Sequence, residues 1–194
     1  MRLKALFPSV LIVLSPVLAL AQTYNVLDYG AACNGSTDDS TAINAAVAAA
    51  ATYNGGGTVL FPGGRICVHT GTISITKSGV WLAGNGTGQY GSTLKFINGS
   101  SDSIQVTGST GNPVYGNGIR NLQIDHGGTK SGGSALSLSI VSSFQMVNSV
   151  ISNAYNGVLA ERTNNIEFDF VQILARISHR RLVHRSAGFE KVVL

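Results

Sequence analysis

The sequence predicts an all-β solenoid, a stack of short-stranded coils closed at its N-terminal end by one α-helix. Three observations lead there. Charged residues make up only 11% of the 194-residue chain, and glycine occurs 24 times. That mixture, rich in Gly, Ser, Thr and Asn, suits short strands joined by tight turns rather than a helical bundle. The hydrophobic fraction of 44% excludes a disordered chain. Apolar positions follow a period of two almost throughout, with a single segment at helical spacing.

The segment 1–21 stands apart. Arg2 and Lys4 form a basic start, an apolar run follows to Leu20, and Ala19-Leu20-Ala21 reads as a cleavage site. This is the pattern of a secretory signal peptide. A membrane anchor is the rival, but the run is interrupted and shorter than the ~20 residues a spanning helix needs. The expectation is a secreted protein that begins at Gln22 and has no membrane partner after cleavage.

Residues 24–31 read as a short strand ending at Gly30. Asp38 is a candidate N-cap for a helix of about residues 39–52, whose Ile43, Ala46, Val47 and Ala50 fall on one face. The glycines of 55–57 stop it. Candidate strands then recur at 58–61, 65–69, 72–75, 80–83, 93–96, 103–107, 119–125, 135–139, 144–151, 157–160 and 165–173, with Gly, Asn, Ser and Asp between them. Segments beginning at Ile119, Phe144 and Ile166 resemble one another at unequal intervals, because turns between strands accept insertions. The stretch from Asn121 to Ile124 likewise resembles the stretch from Asn148 to Ile151, at a slightly longer interval. Loose periods of roughly 20–30 residues, with strands and no helices, indicate stacked β-coils; a β-sandwich is the alternative. Asn121 and Asn148 are either turn residues or members of an amide stack.

The formal charge of +4 is concentrated at the ends. Between positions 22 and 175 there are six basic and eight acidic side chains, so the body offers no case for nucleic-acid binding. Positions 176–194 hold Arg176, Arg180, Arg181, Arg185 and Lys191 against Glu190. This abrupt basic tail is expected to lie outside the β-coil domain of 22–175, as if the fold were truncated at its C-terminal end. Cys33 and Cys67 either pair, in an oxidising compartment, or remain two partly buried thiols.

Tyr24 to Val68 carries a resemblance. Asp28-Tyr29-Gly30-Ala31, Asn34-Gly35-Ser36-Thr37-Asp38-Asp39, Ala42-Ile43-Asn44 and the stretch 55–63 (GGGTVLFPG) resemble the N-terminal signature of the pectate lyase superfamily, in its rhamnogalacturonase- or epimerase-like branch. The stretch 80–86 (VWLAGNG) is similar to a later coil of that family. Asn34 stands where the family has Asp, and Arg65-Ile66-Cys67 where an aromatic is common. The resemblance implies a right-handed, single-stranded parallel β-helix and a polysaccharide partner, as the N-terminal part of a pectate lyase-like or polygalacturonase-like enzyme. It implies calcium if the protein is a lyase; no cofactor and no metal site is evident from the residues themselves.

Neither catalytic motif of that superfamily is recognisable, which keeps a non-catalytic carbohydrate-binding, adhesive or tailspike-like module as the alternative. Alternation makes Asp125 point outward beside His126, and Glu167 point outward with Asp169. If every coil were as long as the step from Phe144 to Ile166, Asp125 and Asp169 would be two coils apart. They would then lie roughly 10 Å apart on one face, at the upper edge of an inverting glycosidase pair; a plain charged surface is the competing reading. Tyr90 and Tyr115, in glycine-rich loops, are candidate sugar platforms, whereas Trp81, inside an aliphatic strand, is expected in the core. Asn34, Asn85 and Asn98 lie in glycosylation sequons that a eukaryotic secretory pathway would use.

Overall fold

The computed structural model describes residues 22–53, 55–129 and 131–174 and the strand Val183–Arg185. The chain winds through six coils, which build three parallel sheets of six, six and five strands. The first coil holds β1 (Thr23–Asn25), a 3₁₀ turn (Val26–Tyr29), β2 (Asn34–Asp38) and α1 (Ser40–Thr52). The second holds β3 (Thr58–Leu60), β4 (Arg65–His69) and β5 (Ile73–Ile75), and the third β6 (Trp81–Ala83), β7 (Ser92–Phe96) and β8 (Ile104–Thr107). The fourth is β9 (Asn117–Arg120), β10 (Gln123–Asp125) and β11 (Ser134–Ser139), and the fifth β12 (Phe144–Val147), β13 (Val150–Ser152) and β14 (Asn156–Glu161). The sixth is β15 (Ile166–Asp169), β16 (Gln172–Leu174) and β17 (Val183–Arg185). The sheets run β1-β3-β6-β9-β12-β15, β2-β4-β7-β10-β13-β16 and β5-β8-β11-β14-β17. This is a single-stranded parallel β-helix. The segment 1–21, expected to be a signal peptide, and most of the basic tail lie outside the described residues; Val183–Arg185 pairs in parallel with β14.

Each inward position stacks on its equivalent one coil away. Val59, Leu82, Ile119, Met146 and Phe168 form one column, and Cys67, Leu94, Ile124, Ile151 and Ile173 another. A coil alone leaves such a face in water. Stacking buries it and pairs the backbone at about 4.8 Å spacing.

Three segments that alternation suggests are single strands, 119–125, 144–151 and 165–173, are each two. The break falls at Asn121, Asn148 and Phe170, whose φ values of 52°, 46° and 51° are left-handed. One left-handed residue turns the chain from the first sheet into the second. Asn tolerates that region because its short polar side chain bonds locally, so Asn121 and Asn148 act as turn residues. The true register pairs Ile119 with Met146 but Phe144 with Ile166. Successive coils therefore differ in length, and no single period describes them.

The helix α1 takes the place of a third-sheet strand in the first coil and packs on β5, β3, β1 and the 3₁₀ turn. Ala42, Ile43, Ala46, Val47 and Ala50 are its buried face. Its N-cap is Asp39 rather than Asp38. The buried Asp39 carboxylate turns away from the helix to accept from the Ala32 and Cys33 N–H groups, at 2.7 and 3.1 Å. Asn44 performs a task usually left to backbone. Its amide donates to the Thr72 carbonyl at 3.1 Å and accepts from the Ser74 N–H at 3.1 Å, so one carboxamide stands in for the strand missing beside β5. Asn44→Leu is expected to leave both groups to water and to lower stability by about 1 kcal/mol, readable as a fall in melting temperature of roughly 2–4 °C.

Asp38 ties the start of α1 to the β4–β5 turn. It accepts from the Ser40 N–H at 3.0 Å and the Ser40 hydroxyl, and from the Thr70 N–H and hydroxyl at 3.2 and 2.5 Å. Burial pushes its pKa up, but these four hydrogen bonds outweigh it and hold the group at about 2, below the ordinary 3.8. A carboxylate with a lowered folded pKa stabilises above its unfolded pKa and loses that contribution as pH falls through the folded one. Denaturation followed from about pH 5 to pH 2 should therefore show a steeper loss in wild type than in Asp38→Asn, with the gap closing toward pH 2.

Cys33, just before β2, and Cys67, in β4, are joined by a buried disulfide that links the first coil to the second.

Candidate functional site

At the corner between the third and first sheets, the turns that enter β3, β6 and β9 stack on one another. The Gly79 N–H donates to the Tyr115 carbonyl and the Tyr115 N–H to the Ser78 hydroxyl. Gly56 and Gly79 approach so closely that a Cβ on Gly56 would sit 2.2 Å from the Gly79 carbonyl carbon, and both have positive φ, 86° and 76°. Only glycine fits this stack. The close approach leaves a cleft of about 1140 Å³ along the axis, lined among others by Tyr53, Lys77, Trp81, Tyr115 and Arg120.

Trp81 is not in the core. Leu82 takes the inward position, and Trp81 faces out, half-buried. Its ring lies across the next coil because Gly118, its register partner, has no side chain: a Cβ there would stand 2.5 and 2.6 Å from Trp81 ring carbons. The Arg120 guanidinium sits 5.3 Å from the ring centroid, within cation–π range. Stacked on one face, a guanidinium keeps its N–H edges for an anion. Two cations and three aromatic residues therefore share one elongated cleft, which suits an acidic sugar: ring faces meet aromatics and carboxylates meet cations.

Of the other candidates, Tyr115 lines the cleft and is 49% exposed. Tyr90 is 81% exposed, in the turn between β6 and β7, and does not belong to the cleft lining. Asp125 and Asp169 do not share a face. Asp125 lies on β10 in the second sheet, level with Lys95 and Ser152, and accepts from Asn153 at 2.7 Å. Asp169 lies on β15 in the first sheet, level with Val147. The bend at Asn121 and its equivalents separates them, which removes the pair expected from coils of equal length. Glu167 and Asp169 do lie together on the outer face of β15, exposed, with Glu167 accepting from the Gln145 amide at 2.7 Å. His126 directly follows β10. It is fully buried, stacked on Phe96 at 5.1 Å, with His69 on the other side of Phe96 at 4.7 Å.

Calcium takes six to eight oxygen ligands. Among the described residues, the one cluster of potential ligand atoms is Cys33, Asp39 and Cys67, where the sulfurs form the disulfide and Asp39 is held by backbone N–H groups. Glu167 and Asp169 supply two carboxylates. Neither group supplies the set of oxygens that calcium takes, so these residues do not build a calcium site.

The family model for rhamnogalacturonase A/epimerase, pectate lyase-like proteins matches residues 23–172. The chain belongs to this family. Alginate lyase 7 of Azotobacter vinelandii is 37% identical over 109 residues, covering 53% of this chain and 12% of that protein. Mannuronan C5-epimerase AlgE4 of the same organism is 38% identical over 110 residues, covering 53% of this chain and 19% of its own length. The chain thus spans less than a fifth of either relative. The A-module of mannuronan C-5 epimerase AlgE6 superposes with a TM-score of 0.61 at 24% identity, over 78% of this chain and 49% of the module. That likeness establishes the shared fold. The family member described here combines that scaffold with a cationic, aromatic cleft. Alternation in the sequence did not reveal the cleft, because its residues come from the turns and strand ends of successive coils and are far apart in the chain.

Proposed function

We propose that this chain binds an acidic polysaccharide of the polyuronate class in the cleft at Trp81 and Arg120, as part of a secreted lyase or epimerase. The observation that carries the reading is the Arg120 guanidinium over the Trp81 ring, seated on Gly118, with Lys77 and Tyr115 beside it. The two relatives named for alginate and mannuronan, both polyuronates, support it. Elimination and C5 epimerisation share a first step, removal of the proton next to the carboxylate. A guanidinium bound to that carboxylate favours the step by stabilising the charge that develops. The buried disulfide and the N-terminal segment support an oxidising, exported setting.

Binding without turnover is the second reading, and one observation favours it: the described cleft lining contains no histidine and no carboxylate. Trp81 is the only tryptophan, so its fluorescence reports occupancy directly. Titration with oligomannuronate, oligogalacturonate and a neutral glucan is expected to quench or shift the emission for the two uronates alone. Absorbance of unsaturated ends, reducing ends and the epimer ratio by NMR, followed on the same samples, separate lyase, hydrolase, epimerase and binder. An unchanged emission spectrum with every polymer rejects the site.

A further inference from the structure

The outer face of the first sheet changes sign along the axis. One row of register partners reads Thr58, Trp81, Gly118, Gln145, Glu167, and the neighbouring row Leu60, Ala83, Arg120, Val147, Asp169. Among these positions the one cation lies on the fourth coil and the two carboxylates on the sixth. Lys77, in the cleft lining, adds to the basic side. In these rows the fifth coil contributes only the uncharged Gln145 and Val147, and the Gln145 amide holds the Glu167 carboxylate back along its row at 2.7 Å. With coils about 4.8 Å apart, the step from Arg120 to the acidic pair is roughly 10 Å, about the length of two pyranose rings.

We infer that Glu167 and Asp169 are specificity-determining residues that limit how far a bound polyuronate extends along this face. The inference rests on the acidic-polysaccharide reading above. A uronate chain anchored at Arg120 and lying along the cleft meets no charge on the fifth coil and like charge on the sixth. At about 5 Å in water, one such pair corresponds to roughly a fourfold loss in affinity, and salt weakens it as the screening length falls to about 10 Å at 0.1 M. The favoured ligand therefore places its run of uronates between the capping helix and the fifth coil. Any sugar it carries beyond is better accommodated when neutral, because carboxylates accept hydrogen bonds from sugar hydroxyls.

Oligomannuronates from dimer to octamer, titrated into the full chain at low salt with Trp81 emission as readout, test the limit. In wild type, affinity should rise with length and then level off or fall once the oligomer reaches the sixth coil. The E167Q/D169N variant, nearly isosteric at two exposed positions, should bind the dimer as wild type does and the octamer about tenfold more tightly, with the gain lost at high salt. Equal octamer affinities in the two proteins, with dimer binding intact and still weakened by Arg120→Ala, overturn the charge limit and leave the acidic-polysaccharide reading standing. Absence of binding at every length overturns both.

Discussion

Arg120→Ala is expected to weaken oligouronate binding by about tenfold to a hundredfold, the effect of removing a charge-assisted contact of roughly 1.5–3 kcal/mol. Trp81→Ala should act on a similar scale, since a half-buried aromatic beside a cation is the kind of residue that dominates binding surfaces. The two losses should not add. Arg120 is held over the Trp81 ring at 5.3 Å, so removing the ring also frees the guanidinium, and residues in contact couple. Arg120→Lys provides the discriminating control. It keeps the charge and loses the planar stack and the two-pronged donor set, so its affinity should fall between wild type and Arg120→Ala. Calorimetry suits this series, because Trp81→Ala abolishes the fluorescence signal. Both side chains face outward from the sheet, so melting temperatures should stay within a few degrees of wild type. Wild-type affinity in both alanine variants would place the ligand elsewhere.

Removing the disulfide should have the largest effect on stability. The Cys33–Cys67 bridge closes a loop with a sequence separation of 34, for which chain entropy suggests about 3–4 kcal/mol. The Cys33→Ala/Cys67→Ala variant should therefore melt roughly 6–15 °C below wild type. The position of the bridge makes the loss local first. Cys67 belongs to the column of Leu94, Ile124, Ile151 and Ile173, while Cys33 precedes β2, an edge strand of the second sheet. Without the bridge, β2 is held to β4 by an irregular register and by the hydrogen bonds of Asp38 and Asp39 to their neighbours. Limited proteolysis should then cut first in residues 30–40. Wild type denatured with a reductant present should melt where the variant does; identical melting of oxidised wild type and the variant would show that the hydrogen bonds alone hold the first coil.

The scaffold was legible because its causes are local. The helical spacing of Ile43, Ala46, Val47 and Ala50 and the alternation of Val59, Leu82, Ile119 and Ile124 are written in adjacent residues. So are the glycine stops after α1 and the signature between Tyr24 and Val68. Register was less legible. The apolar pattern accepts Ile119 aligned with Phe144 as readily as Ile119 aligned with Met146, its true partner. The apolar alternation shifts phase across Asn121 and Phe170, from Ile119 to Leu122 and from Phe168 to Val171, but a phase shift does not say that the chain turns there through a left-handed residue.

Sequence alone determined that this chain builds a β-solenoid with an N-terminal helical cap, since composition, period and turn residues act within a few positions of one another. It left open whether Cys33 and Cys67 meet, which charges share a face and where Trp81 points. Tertiary structure decided those. One turn residue at Asn121 sends Asp125 to the second sheet and keeps Arg120 on the first. One missing Cβ at Gly118, a full coil further along the chain, makes room for the Trp81 ring to lie down beneath Arg120. In a solenoid, side chains that cooperate are neighbours along the axis, and variable turn lengths erase the fixed spacing by which a sequence could announce them.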